Sequence, residues 1–181
     1  MAWTTPRTWT TGETVTAAIM NTHARDNLAY LKALAPDVWV VPSARVYNDA
    51  AISINNNTIT ALTFNSERWD TDSIHSTVTN TGRLTATKAG IYHIHGHVAF
   101  ASNSSGSRQV SIRFGASTVL AVHKIPASAG VNLLSISTVY YLAENDYVEL
   151  LVYQDSGGSL NVIADAALSP EFGMTYLGKK D

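Results

Sequence analysis

The sequence predicts an all-β sandwich of the jelly-roll type, preceded by one N-terminal α-helix. Three observations predict it: apolar residues recur with a period of two from Ala44 almost to the C-terminus; turn-forming clusters interrupt that pattern at short intervals; and only one stretch, following Thr16, is rich in helix formers. The chain has 181 residues, 45% hydrophobic and 14% charged, which is enough for one good core plus an appendage. It divides into an N-terminal segment with the helix, 1–40, and a β domain, 41–181.

Composition removes several function classes. The net charge is −2 and the lysines and arginines are scattered singly, so no basic stripe exists for nucleic acid. No apolar run approaches the length of a membrane span, and the start, Met1-Ala2-Trp3-Thr4-Thr5, lacks the pattern of a secretory signal; the expectation is a soluble product of the cytoplasm with no membrane insertion. Cysteine is absent, which excludes disulfides and thiolate metal sites and leaves packing or assembly to supply stability.

Residues 1–13 place Trp3 and Trp9 among threonines with Pro6 between them, and such a segment cannot build a core of its own. The two indoles are either exposed or serve as anchors in pockets of a partner, the favoured alternative because large exposed rings are unfavourable in water. The helix opens at the cap Thr16 and is expected to stop at Pro36. Met20, Ala24, Asn27, Leu31 and Leu34 follow four-three spacing, a short coiled-coil seam with one Asn inside it. Such a helix is marginal alone, so it packs on its own domain or associates with other chains. Residues 38–42 then read as a linker. Strands follow around Ile52 and Ile54; Thr60, Leu62 and Phe64; Leu84 and Ala86; Tyr92 to Phe100; Val110, Ile112 and Phe114; Leu134 to Leu142; Val148 to Val152; Leu160 to Ala164; and Phe172 to Tyr176.

The stretch Gly90-Ile91-Tyr92-His93-Ile94-His95-Gly96-His97-Val98-Ala99-Phe100 organises the rest. Alternation puts Tyr92, Ile94, Val98 and Phe100 on a core face, and His93, His95, His97 and Ala99 on the other. A face with three rings and little charge is odd in water and ordinary against another subunit.

The succession Phe64, Trp69-Asp70, Leu84, Gly90-Ile91-Tyr92, Asn145-Asp146-Tyr147-Val148 and Phe172-Gly173-Met174 resembles the globular head of complement and its tumour necrosis factor-like relatives, over residues 44–178. Asn145-Asp146 replaces the usual Gly-Asp, and no collagen stalk precedes the domain, so a complement or cytokine role is not implied. The resemblance implies a homotrimer whose inner sheet faces the three-fold axis, with His93, His95, His97, Val139 and Tyr141 at the interface. The opening Trp-Thr-Thr-Pro-Arg-Thr-Trp-Thr-Thr-Gly-Glu, running on to Leu28-Ala29-Tyr30-Leu31, is similar to the start of structural proteins of tailed bacteriophages and prophages. That likeness implies a virion protein: a fibre, spike or decoration that docks on capsid, portal or tail through Trp3, Trp9, Met20, Leu31 and Leu34 and projects a trimeric head for host attachment.

Three kinds of chemistry remain as expectations. Three copies of His93, His95 and His97 near an axis suit a divalent metal, or stack without one; either way their protonation near pH 6 loosens the trimer. Asp70 and Asp72 form the only close acidic pair for calcium, although such residues mostly cap turns. The polar tips with Asn103 and Ser105, and with Asp155 and Ser159, suit a host-surface glycan, the alternative function. No nucleophile elbow, phosphate loop or zinc-protease helix occurs, so the expectation is no enzyme; a glycosidase with two distant carboxylates is the least favoured reading.

Overall fold

The computed structural model describes residues 3–39 and 41–180. The chain separates into two compact units, Met1–Val40 and Val41–Asp181.

The second unit is a sandwich of two antiparallel sheets. Its strands are β1 (Ser43–Tyr47), β2 (Ile52–Ile54), β3 (Thr60–Ala61), β4 (Ser66–Asp70), β5 (Arg83–Thr85), β6 (Gly90–Phe100), β7 (Ser107–Phe114), β8 (Thr118–Pro126), β9 (Asn132–Leu142), β10 (Tyr147–Gln154), β11 (Leu160–Val162) and β12 (Glu171–Gly178). The first sheet runs β2-β11-β6-β12-β1-β4, with β9 paired along the whole of β6. The second runs β3-β10-β7-β8, with β5 also on β10. This is the jelly-roll sandwich expected from the alternation.

The core lies between the sheets and contains Val46, Leu62, Phe64, Tyr92, Ile94, Phe100, Ile112, Leu150 and Phe172. Phe64 and Phe172 stack with ring centroids 5.9 Å apart. Between Ile94 and Val98 the core-facing position is Gly96, where a Cβ would come within 2.9 Å of the Leu150 methyls and 3.1 Å of the Glu171 carbonyl. That glycine lets Leu150 cross from the opposite sheet. The buried Tyr92 hydroxyl donates to the Lys88 carbonyl at 2.7 Å, and this bond offsets the cost of its burial.

Two strands escape the alternation. β4 has no buried residue, so alternation could not reveal it. β8 has no buried residue either, and a bulge between Ile112 and Arg113 shifts its register against β7.

The first unit departs from expectation in three ways. Its helical residues fall into α1 (Ala17–Met20), a π-helical turn at Asn21–Asp26, and α2 (Asn27–Trp39). Thr16 caps α1 as expected, its hydroxyl accepting from the Ile19 N–H at 3.3 Å. The wide turn adds a residue, rotating the later side chains by about 100° and breaking the four-three seam. Asn27 is buried, yet not as a register residue: its amide accepts from the Thr4 N–H at 3.0 Å and donates to the Thr4 carbonyl at 2.9 Å. The helix also passes Pro36 and includes Val38 and Trp39; the lost hydrogen bond and the ring's clash with the preceding turn make a proline costly in a helix, by about 3 kcal/mol, but do not forbid it. The expected linker thus begins inside the helix, and Val40 lies outside the described residues.

Candidate functional site: the outward face of the first sheet

Strand pairing places the three histidines in the middle of the first sheet, pointing away from the core. His93 stands opposite Val139 on β9 and Thr175 on β12, His95 opposite Ser137 and Gly173, and His97 opposite Ser135 and Glu171. The His93 and His95 rings stack at 5.3 Å with 20° between their planes. Gly173 is a requirement of this row, since a Cβ there would come within 2.5 Å of the His95 ring. Beside it a hollow of about 320 Å³ opens, lined by His95, His97, Ser135 and Ser137.

The two sides of the histidine row differ. Toward β9 the outward residues are Leu133, Ser135, Ser137, Val139 and Tyr141, uncharged throughout; the apolar ones, Leu133, Val139 and Tyr141, are 61%, 56% and 42% exposed. Toward β1 and β4 it is charged. Glu171, nearly buried, accepts from Arg45 and from both Nε and Nη2 of Arg68, the latter two at 3.2 and 3.1 Å. Arg68 in turn lies 4.0 Å over the Tyr47 ring. His95 sits between these sides with its Nδ1 buried and, among the described residues, without a partner. Burial pushes its pKa below the usual 6.5, the neighbouring His93, Arg45 and His97 push the same way, and Glu171 opposes them.

The structure therefore brings His93, His95, His97, Val139 and Tyr141 onto one continuous surface. Among the described residues no group of three or more His, Asp or Glu side chains is arranged to hold a metal ion. Asp70 is committed to its own turn, its carboxylate accepting from the N–H groups of Asp72, Ile74 and His75, while Asp72 accepts from the Thr87 hydroxyl. The acidic pair is thus engaged with its own turn and with Thr87.

The two polar tips meet, but largely to bind one another. Asp155 accepts from both the N–H and the hydroxyl of Ser107, and the N–H holds its carboxyl below the usual range. Asn103 accepts from the Ser105 N–H at 2.8 Å. Fully buried Arg108, which sequence reasoning did not single out, donates to the carbonyls of Asn103, Ser105 and Ser107. Ser159 donates to Asn55 at 3.5 Å. In the first unit Trp3, Trp9, Met20 and Leu31 are all about half exposed, with Trp3 tilted against Tyr30 at 6.1 Å and Arg7 over Trp9 at 4.9 Å. The Leu34 side chain lies outside the described residues.

No family model and no curated protein matches the chain. Solved structures do. The Eiger tumour necrosis factor of S. frugiperda has a TM-score of 0.56 at 13% identity, covering 78% of this chain and 95% of its own. The globular domain of zebrafish complement 1qA has 0.56 at 15%, covering 77% and 99%. Murine APRIL at pH 5.0 has 0.58 at 13%, covering 76% and 100%. The fold is that of the complement globular head and the tumour necrosis factor-like proteins, as the sequence resemblance implied.

Proposed function

We propose that this chain is a non-enzymatic structural protein of a bacteriophage particle, a fibre, spike or decoration of head or tail. Residues 1–40 dock on another virion protein, and 41–181 form a homotrimeric head that attaches to the host surface. It is made in the bacterial cytoplasm and resides on the virion. The observation that carries the trimer is the face just described: exposed Val139, Tyr141 and Leu133 beside a histidine row with a buried nitrogen that has no partner among the described residues. Exposed apolar side chains on one face of a sheet favour association. The docking role rests on the half-exposed Trp3 and Trp9 and on the opening sequence. The mechanism is recognition by surface, with no covalent step.

Light scattering on the full chain and on a chain beginning at Val41 tests this reading. Trimers in both cases support a self-sufficient head and a free docking segment. A trimer only with residues 1–40 present moves assembly to the helix, and two monomers refute the reading.

A further inference from the structure

The second sheet carries a groove that the trimer reading does not use. A hollow of about 350 Å³ is lined by Ser76, Thr79, Asn80, Arg83, Asn145 and Tyr147, among others. A second, of about 280 Å³, lies beside Leu62, Thr63, Gly82 and Glu149 and shares Asn80 and Arg83 with the first. Taken together they match the usual size of a small-ligand site, roughly 300–1,000 Å³.

Arg83 is the hinge of the two hollows, and it is held in place. Its Cζ lies 4.0 Å over the Tyr147 ring, and its Nε donates to Glu149 at 3.4 Å. Glu149 is already engaged by both Nε and Nη2 of Arg113, at 3.2 and 2.5 Å. One carboxylate between two guanidiniums leaves a positive charge, and the weaker contact leaves it on Arg83. Among the described residues the two Nη groups of Arg83 have no protein partner. A stacked, oriented guanidinium with an open fork is built for a carboxylate.

The remaining lining narrows the ligand. Asn80 and Asn145 spend their backbones on turns in the left-handed region, at φ 51° and 70°; among the described residues their amides have no partner. Thr79 adds a hydroxyl, and the wall behind is fixed by His75, whose ring nitrogens meet Glu67 at 2.9 Å and the Thr81 carbonyl at 3.1 Å. A single cation among amides and hydroxyls, with Tyr147 and Leu62 as the apolar part of the wall, does not fit a polyphosphate and suits an amphipathic ligand with one negative charge. We infer that this groove binds a carboxylated sugar, a uronate or sialate unit of a surface glycan, with its carboxylate on Arg83 and its hydroxyls on Asn80, Asn145 and Thr79. The inference gives the attachment reading its ligand class and rests on it.

The test is an array of immobilised oligosaccharides probed with the full chain, including uronate-bearing, sialate-bearing and neutral glycans and the same acidic glycans with the carboxyl reduced to an alcohol. Binding confined to carboxylated glycans is expected, at least tenfold weaker to the reduced forms and for Arg83→Gln. Asn145→Gly, which keeps the left-handed backbone, is expected to weaken it several-fold. The array separates uronate from sialate as the source. Equal signals from acidic and reduced glycans, or a blank array, overturn the inference; the ligand comparison uses the unaltered chain and stands even if a variant fails to fold. A blank array from a protein that scatters as a trimer rejects the groove alone and leaves the trimeric head intact.

Discussion

The outward faces of the two sheets are built on the same motif and differ in what surrounds it. Each centres on a nearly buried glutamate held by two arginines, Glu171 with Arg45 and Arg68 on the first sheet, Glu149 with Arg83 and Arg113 on the second. In each, one arginine lies 4.0 Å over a tyrosine ring, Arg68 on Tyr47 and Arg83 on Tyr147. On the first sheet the motif borders a histidine row and an exposed apolar edge. On the second it borders amides, hydroxyls and two hollows. The same charge arrangement is thus a polar rim in one place and the centre of a groove in the other, and its neighbours decide which.

The most severe way to break this contrast is a charge on the apolar edge. Val139→Asp places a carboxylate where the proposed interface buries a valine, at a cost of several kcal/mol per subunit, and is expected to reduce the trimer to monomers by light scattering. Thr85→Glu on the second sheet is expected to leave the mass unchanged; equal loss from both would abolish the distinction between the faces.

Removing each glutamate's charge sharpens it. Severing a buried ion pair costs about 3–5 kcal/mol, reduced here to roughly 1–3 because the arginines are partly exposed. Glu149→Gln and Glu171→Gln should both lower the melting temperature, but only Glu171→Gln should also raise the concentration at which the trimer dissociates. A smaller steric effect comes from Gly173→Ala, whose Cβ would fall 2.5 Å from the His95 ring and 3.2 Å from the Ala44 carbonyl. Its cost is about 1–3 kcal/mol, read in denaturant melts.

Proton linkage supplies the mildest test. Because the pKa of His95 is depressed in the folded protein, the unfolded chain binds more protons once the pH falls below about 6.5. Its contribution to stability is full above that pH and is lost as the pH descends from there through the folded pKa. Melting curves from pH 8 to pH 5 should show this decline, and His95→Gln should flatten it. The same scan by light scattering tests whether acid loosens the trimer; an unchanged mass at pH 5 would refute that expectation.

Alternation revealed the core face of β6 and the histidine row because both depend on one strand and a period of two. In β9 it holds as far as Leu142, with Tyr140 opposite Tyr92 and resting on Phe114 at 5.6 Å although 37% exposed. It missed β4 and β8 because neither strand has a buried side chain to count. The Asn27 seam misled because spacing along a helix does not show that Thr4, 23 residues earlier, takes up the amide. The Arg83 groove was illegible for a similar reason: Arg83, Glu149 and Arg113 are scattered singly along the chain and meet only through β5-β10-β7 pairing.

The sequence by itself determined the periodicities, and with them the sandwich, its two-sided strands and the residues available to each face, because side-chain direction along a strand is a local property of the backbone. Only the tertiary structure decided which strands became neighbours. That pairing set His95 against Gly173, put Glu171 and Glu149 each between two arginines, and turned the Asn103 and Asp155 tips toward each other, since contacts between residues distant in the chain follow from how the sheets assemble rather than from spacing.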